Sequence, residues 1–249
     1  MTLETRETVT VDVAAPVEDV WAHLRDPRLV RRWFGWDYDG LDDEIRQIFV
    51  DGPREHVEEA DGVTTRTLTW PHHEVLTVTS RADAPGRTQV ALTRRGHDAL
   101  APYDGLYDEV DEGWIAFLQQ LRFALERHPG EDRVALSVLG LDAGDRHDPL
   151  LFRAGLHGVR GLPVGAHVEV TRPDGSRVGG TVVYRTAHQV GIRLHPIESL
   201  LVLMLEPAGH HPPHGRVSAV LSTFGLDEAT LAEARRRWAG WWGGAPTTS

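Results

Sequence analysis

Fourteen histidines, twenty-six arginines and thirty-seven carboxylates supply the groups from which metal sites and acid–base pairs are built. Two histidine runs invite such a reading. Pro71-His72-His73-Glu74 sets two imidazoles beside a carboxylate, but neighbours on a strand point to opposite faces, so a shared metal is geometrically awkward. His210-His211-Pro212-Pro213-His214 reads as a proline-rich loop suited to adventitious divalent metal. No metal is expected at either. The chain has no cysteine and no lysine, which removes disulfides, thiolate nucleophiles, Cys-ligated zinc, Schiff bases and the phosphate-loop lysine. HExxH, GxSxG and GxGxxG are also missing, and no cofactor is expected.

The remaining chemistry is aromatic. Trp33, Phe34 and Trp36 fall within four residues, with Tyr38 close behind; Trp70, Tyr103 and Tyr107 follow, then Trp114, Phe117, Leu118 and Leu121 at helical spacing. Tryptophans on an amphipathic face are usually core, and truncating Trp21 or Trp114 is expected to cost ~3–5 kcal/mol. Rings near element ends, such as Trp33, Trp36 and Trp70, suit a ligand equally well. A buried phenol needs a hydrogen-bond partner, so Tyr38, Tyr103 and Tyr107 can offer hydroxyls to a polar ligand group.

The elements that must position these rings follow from local pattern. Val9, Val11 and Val13 alternate with polar residues as a half-buried strand does. Pro16 with Glu18 and Asp19 starts a helix whose apolar face is Val17, Val20, Trp21 and Leu24; Asp26-Pro27 starts a second, ended by Gly35. Strands are expected at 44–50, 54–59, 64–70, 75–80 and 87–93, separated by Asp-Gly, Pro and Gly turns. Val110, Trp114, Phe117, Leu118, Leu121 and Leu125 mark a long helix closed by Pro129-Gly130.

The order then repeats more faintly. A strand is expected at 133–139, and a short helix at 149–156 with Asp148 as its cap. A hairpin turning at Asp174-Gly175 follows, then strands at 189–194, 199–206 and 216–223, and a last helix carrying Leu231, Ala234, Trp238 and Trp241. The run LLVLML at 200–205 is apolar on both faces and requires cover on both. Arg235, Arg236 and Arg237 read as a solvated face. Charge divides the chain too: residues 1–129 hold 14 arginines against 25 carboxylates, residues 130–249 twelve of each. That break suggests two modules, 1–129 and 130–249. An acidic chain is a poor match for nucleic acid or an anionic membrane. With no apolar leader and no run near the ~18 residues of a span, a soluble cytoplasmic protein is the expectation.

Strand, two short helices, antiparallel strands and a long C-terminal helix resemble the START-like, or SRPBCC, superfamily. Within it, APVEDVWAHLRDPRLVRRWF at 15–34 is similar to the opening motif of the branch named after the activator of Hsp90 ATPase, with Trp70 and the DEGW helix at Trp114 as later landmarks. The likeness covers residues 7–127; for 130–249 it rests on element order. It implies an α+β, helix-grip (Bet v 1-like) fold in two tandem modules, the second degenerate, each an antiparallel sheet curved around its C-terminal helix. It further implies a cavity between sheet and helix for a hydrophobic small molecule, lined by Trp33, Phe34, Trp36, Tyr38, Trp70, Tyr103, Tyr107, Trp114, Phe117, Leu118 and Leu121. A non-catalytic binder is the first reading and a polyketide aromatase/cyclase the second, for which His56, Arg66 and Tyr107 are the residues to test. A chaperone-associated role is third. A homodimer stays open, and neither nucleic acid nor membrane insertion is implied.

Overall fold

The first strand finds its partner at the far end of its own half of the chain. In a computed structural model, which describes residues 5–71, 74–95 and 107–242, β1 (Thr5–Val13) pairs antiparallel with β5 (Thr88–Arg95), Val11 opposite Val90. β2 (Arg54–Ala60), β3 (Val63–Thr69) and β4 (Glu74–Arg81) complete a five-stranded sheet of order β1-β5-β4-β3-β2. Directly opposed residues share a face. The registers therefore draw one row across the sheet, Val11, Val90, Val78, Arg66 and Val57, and beside it another through Leu92, Leu76 and Leu68. The valines at 11, 90 and 78 and all three leucines are buried, which makes this the inner face.

Between β1 and β2 the chain is helical throughout its ordered elements. α1 (Val17–Arg25) buries Val20, His23 and Leu24 and packs on β4. α2 (Pro27–Val30) is capped by Asp26, whose carboxylate accepts from the Arg28 N–H at 2.9 Å, with Pro27 at the first position, where its missing N–H is not needed. α3 (Leu41–Ile45) runs into a wider π-helical turn, Arg46–Asp51, where a strand over 44–50 is expected from Ile45, Ile48 and Val50. The reason is tertiary: Leu41, Ile45 and Phe49 recur every four residues and are all fully buried, and that helical face outweighs local β-propensity. α4 (Glu109–Arg127) is capped by Asp108, which accepts from the N–H groups of Val110 and Asp111 at 2.9 and 3.0 Å. It packs on β1. Val110, expected on its apolar stripe, is exposed in the first turn.

The chain divides into Met1–Asp132 and Arg133–Ser249. The second unit repeats the plan with one more strand. β6 (Arg133–Asp142), β7 (His167–Thr171), β8 (Arg177–Arg185), β9 (Gln189–Leu194), β10 (Ser199–Glu206) and β11 (Arg216–Phe224) form a sheet of order β6-β11-β10-β9-β8-β7. α5 (Leu150–Arg153) and a 3-10 turn, Val159–Gly161, lie between β6 and β7, and α6 (Glu228–Trp241) ends the unit. Asp148 does not cap α5; its carboxylate pairs with Arg153 at 2.6 Å, and Pro149 occupies the cap position. Tyr184 opposes Gly191, where a Cβ would stand 2.1 Å from the phenol ring, so glycine is required there. Leu200 through Leu203 are all buried, both faces of β10 being covered. Among the described residues no helix is long and apolar enough to cross a membrane.

Candidate ligand-binding site

Seven rings from four elements meet at one end of the first unit. Phe34 lies 4.9 Å from Phe49 and 4.6 Å from Phe117 between ring centroids; Trp33 approaches Phe49 at 5.4 Å; Trp114 stands 5.7 Å from Trp70 and 6.2 Å from Phe117; Trp36 reaches Phe117 at 6.4 Å. Most of these pairs are tilted or edge-on, the arrangement that ring quadrupoles favour. Two indoles are fixed by backbone carbonyls: Trp33 Nε1 donates to His23 at 2.8 Å and Trp70 Nε1 to Ile48 at 2.7 Å. Burial grades across the cluster. Trp33, Phe34 and Phe49 are enclosed by protein, as are Leu118 and Leu121 on α4, and Trp114 nearly so, while Trp36, Trp70 and Phe117 are half-buried. Phe49, at the centre, was not among the expected contacts; the four-residue spacing of Leu41, Ile45 and Phe49 was the signal for it.

The inner face carries two arginines in contrasting surroundings. Arg94 on β5 reaches the first turn of α4: Nη1 donates to Asp111 at 2.5 Å and lies 3.2 Å from Asp108, and Nε is 3.6 Å from Glu74. Three carboxylates hold it, and it ties helix to sheet. Arg66 on β3 lies over the Trp21 indole, its Cζ 5.6 Å from the ring centroid, and pairs with one carboxylate, Glu18 at the start of α1. The Arg66 side chain is 17% exposed and that of Glu18 71%. Arg66 Nε is buried with no acceptor. One step further along the same row, Val57 is 51% exposed, so the inner face is open on the β2 side.

The other expected residues are scattered. His56 opposes Thr67, and Val57 opposes Arg66, so His56 stands on the outer face and is exposed. Tyr107 is half-buried just before α4. Tyr38 is exposed, and its hydroxyl donates to Glu44 at 2.6 Å, a bond that pushes the phenol up to about 12. Tyr103, His72 and His73 lie outside the described residues. His23 is buried against the Asp19 carbonyl, to which Nδ1 donates at 2.8 Å, and burial pulls it below the ordinary imidazole value. In the second unit His210 and His214 each face a carboxylate, Glu206 at 2.7 Å and Asp142 at 2.9 Å.

First strand paired with last, short helices between the first and second strands, and a C-terminal helix laid on the sheet recur in both units. Both units have the helix-grip arrangement. No family model and no curated protein matches the chain. Solved structures do. DynU16, a protein in the dynemicin biosynthetic locus, is 20% identical and covers 96% of this chain and 94% of its own, at a TM-score of 0.29. The di-domain ARO/CYC BexL from the BE-7585A biosynthetic pathway is 14% identical over 99% of this chain and 100% of its own, at 0.33. The AHSA1-like protein from Aeromonas hydrophila is 6% identical over 96% and 90%, at 0.21. The helix-grip assignment stands on strand order and helix placement within each unit.

Proposed function

We propose that the first grip binds a hydrophobic small molecule between the inner face of its sheet and α4. Trp36, Trp70 and Phe117 serve as apolar contacts, and Arg66 meets an oxygen-bearing end of the ligand. The observation that carries this is the row Val11, Val90, Val78, Arg66, Val57. Its first three members are covered, whereas Arg66 keeps a buried Nε–H without an acceptor and Val57 remains half exposed. An unmet buried donor costs roughly 1–3 kcal/mol, and a ligand oxygen would recover part of that. Trp33, Phe34, Phe49, Leu118 and Leu121 act as the wall behind the contacts.

A non-catalytic binder is favoured over a cyclase because proton transfer needs an acid–base group beside the substrate. Of the three residues named from the sequence for a cyclase, His56, Arg66 and Tyr107, the one imidazole, His56, is on the opposite face of the sheet. The test is a thermal-shift screen of the full chain against lipids and aromatic polyketides, with Arg66→Gln alongside. A ligand at 100 times its Kd is expected to stabilise by ~2.7 kcal/mol, and Arg66→Gln to reduce that shift for ligands bearing a carbonyl or carboxylate. No shift with any member, or equal shifts in the variant, would remove this reading. Turnover of a polyketide mimic, lost in Arg66→Gln, would make the first grip an enzyme instead.

A further inference from the structure

The second grip has an opening of its own. Between α6 and the sheet lies a cavity of about 120 Å³, walled by Val178, Leu194, Ile197, Leu221, Ala234 and Trp241. Its rim carries three arginines and one carboxylate: Arg172 and Arg177 flank the β7–β8 turn, and Glu233 and Arg237 come from α6. Two of the arginines have carboxylate partners, Arg177 with Glu169 at 3.1 Å and Arg237 with Glu233. Arg172 has none among the described residues. Its Nε donates to Ser176 at 2.9 Å, and its guanidinium lies over the Trp241 indole, 5.4 Å from the ring centroid. Trp241 is held in turn, its Nε1 donating to the Ala154 carbonyl at 2.9 Å. Burial, and then the nearby charge of Arg237, both act against the positive charge of Arg172, with Asp174 opposing them.

We propose that this cavity is a second, separate binding site, for a small aromatic carboxylate: one ring among Leu194, Leu221 and Ala234, with the carboxylate at the rim on Arg172. Size supports one ring. An apolar cavity of ~150 Å³ takes benzene, and a slightly smaller one with an open mouth takes a ring whose charged group stays outside. Charge supports an anion, since a half-buried guanidinium without a carboxylate gains most from one. The indole against the guanidinium face and a carboxylate at its N–H edge use both features of arginine together. The proposal is independent of the site in the first grip.

The test is 19F NMR of 4-fluorobenzoate titrated with the full chain, with 4-fluorotoluene and inorganic phosphate as the neutral and ring-free arms. Saturable broadening of fluorobenzoate is expected, competed by benzoate and not by phosphate. Arg172→Gln is expected to raise the Kd tenfold or more for fluorobenzoate while leaving any fluorotoluene binding unchanged. Ala234→Phe, which fills the cavity, should abolish binding of both; Arg172→Gln keeps the test informative if that variant fails to fold. Absence of saturable binding, an unchanged Kd in Arg172→Gln, or equal competition by phosphate would overturn the proposal. So would loss of binding in Arg66→Gln rather than Arg172→Gln, which would move the ligand to the first grip.

Discussion

In the first grip the rings near α4 come from four elements: the segment after α2, the π-helical turn, the end of β3 and α4 itself. In the second, three tryptophans come from α6 and its end, Trp238, Trp241 and Trp242, and the sheet beneath them is aliphatic. The same strand order is thus filled in two ways. A plug built from several elements fixes them to one another at one end and leaves the inner face open towards β2, where Val57 is exposed. A cluster of rings at the end of a single helix instead fills the groove there and leaves a small cavity beside Ala234. What differs is which elements carry the large side chains, and with it the size and charge of the remaining space.

The largest effect should come from breaking the plug. Phe49→Ala removes the ring that Trp33, Phe34, Trp70 and Trp114 all meet, and a loss of ~3–5 kcal/mol is expected from urea melts. Leu203→Ala, at an equally buried site in the second grip, is expected to cost ~2–5 kcal/mol, with its loss confined to signals of that unit. Next come the two inner-face arginines. Arg94→Gln removes the cation that three carboxylates share and should cost about 2 kcal/mol or more, whereas Arg66→Gln, with one exposed partner, should cost under about 1 kcal/mol. Equal costs would erase the distinction drawn between a structural and a ligand-facing arginine.

A smaller contrast separates the indoles of the second grip. Trp241→Phe breaks the bond from Nε1 to the Ala154 carbonyl, while Trp238→Phe removes an Nε1–H that is buried without an acceptor. Trp241→Phe should therefore be the more destabilising by about 1 kcal/mol in thermal melts. The smallest effect is a pH slope in the first grip. Because burial lowers the folded pKa of His23 below 6.5, the unfolded chain takes up the proton first. The stability linked to this group is complete above about pH 6.5 and is lost as pH falls through the lowered folded value. His23→Gln should flatten that part of a melting-temperature profile; an unchanged slope would assign it to other groups.

Much of this arrangement was readable from pattern. Alternating valines, Asp-Gly turns and proline starts mark elements whose local preference and tertiary role agree; β9 and β10 fall at 189–194 and 199–206 as expected. Where the two conflict, the reading failed. At 44–50 β-branched residues favoured a strand while the Leu41, Ile45, Phe49 face favoured a helix, and packing decided. Asp148 has the chemistry of a cap, but the nearby Arg153 claims its carboxylate. The arginine partners were illegible for another reason. Arg66 and Glu18 are far apart in sequence, as are Arg94 and Glu74, and only the sheet register and the crossing of α1 and α4 bring them within reach.

The most direct measurement is a crystal structure of the full chain with whichever ligand stabilises it most. The account predicts density against Trp36, Trp70 and Phe117, with a ligand oxygen within about 3.2 Å of an Arg66 nitrogen and Glu18 displaced from it. A ligand lodged elsewhere, with Arg66 still paired to Glu18 and the β2 side of the inner face empty, would contradict it.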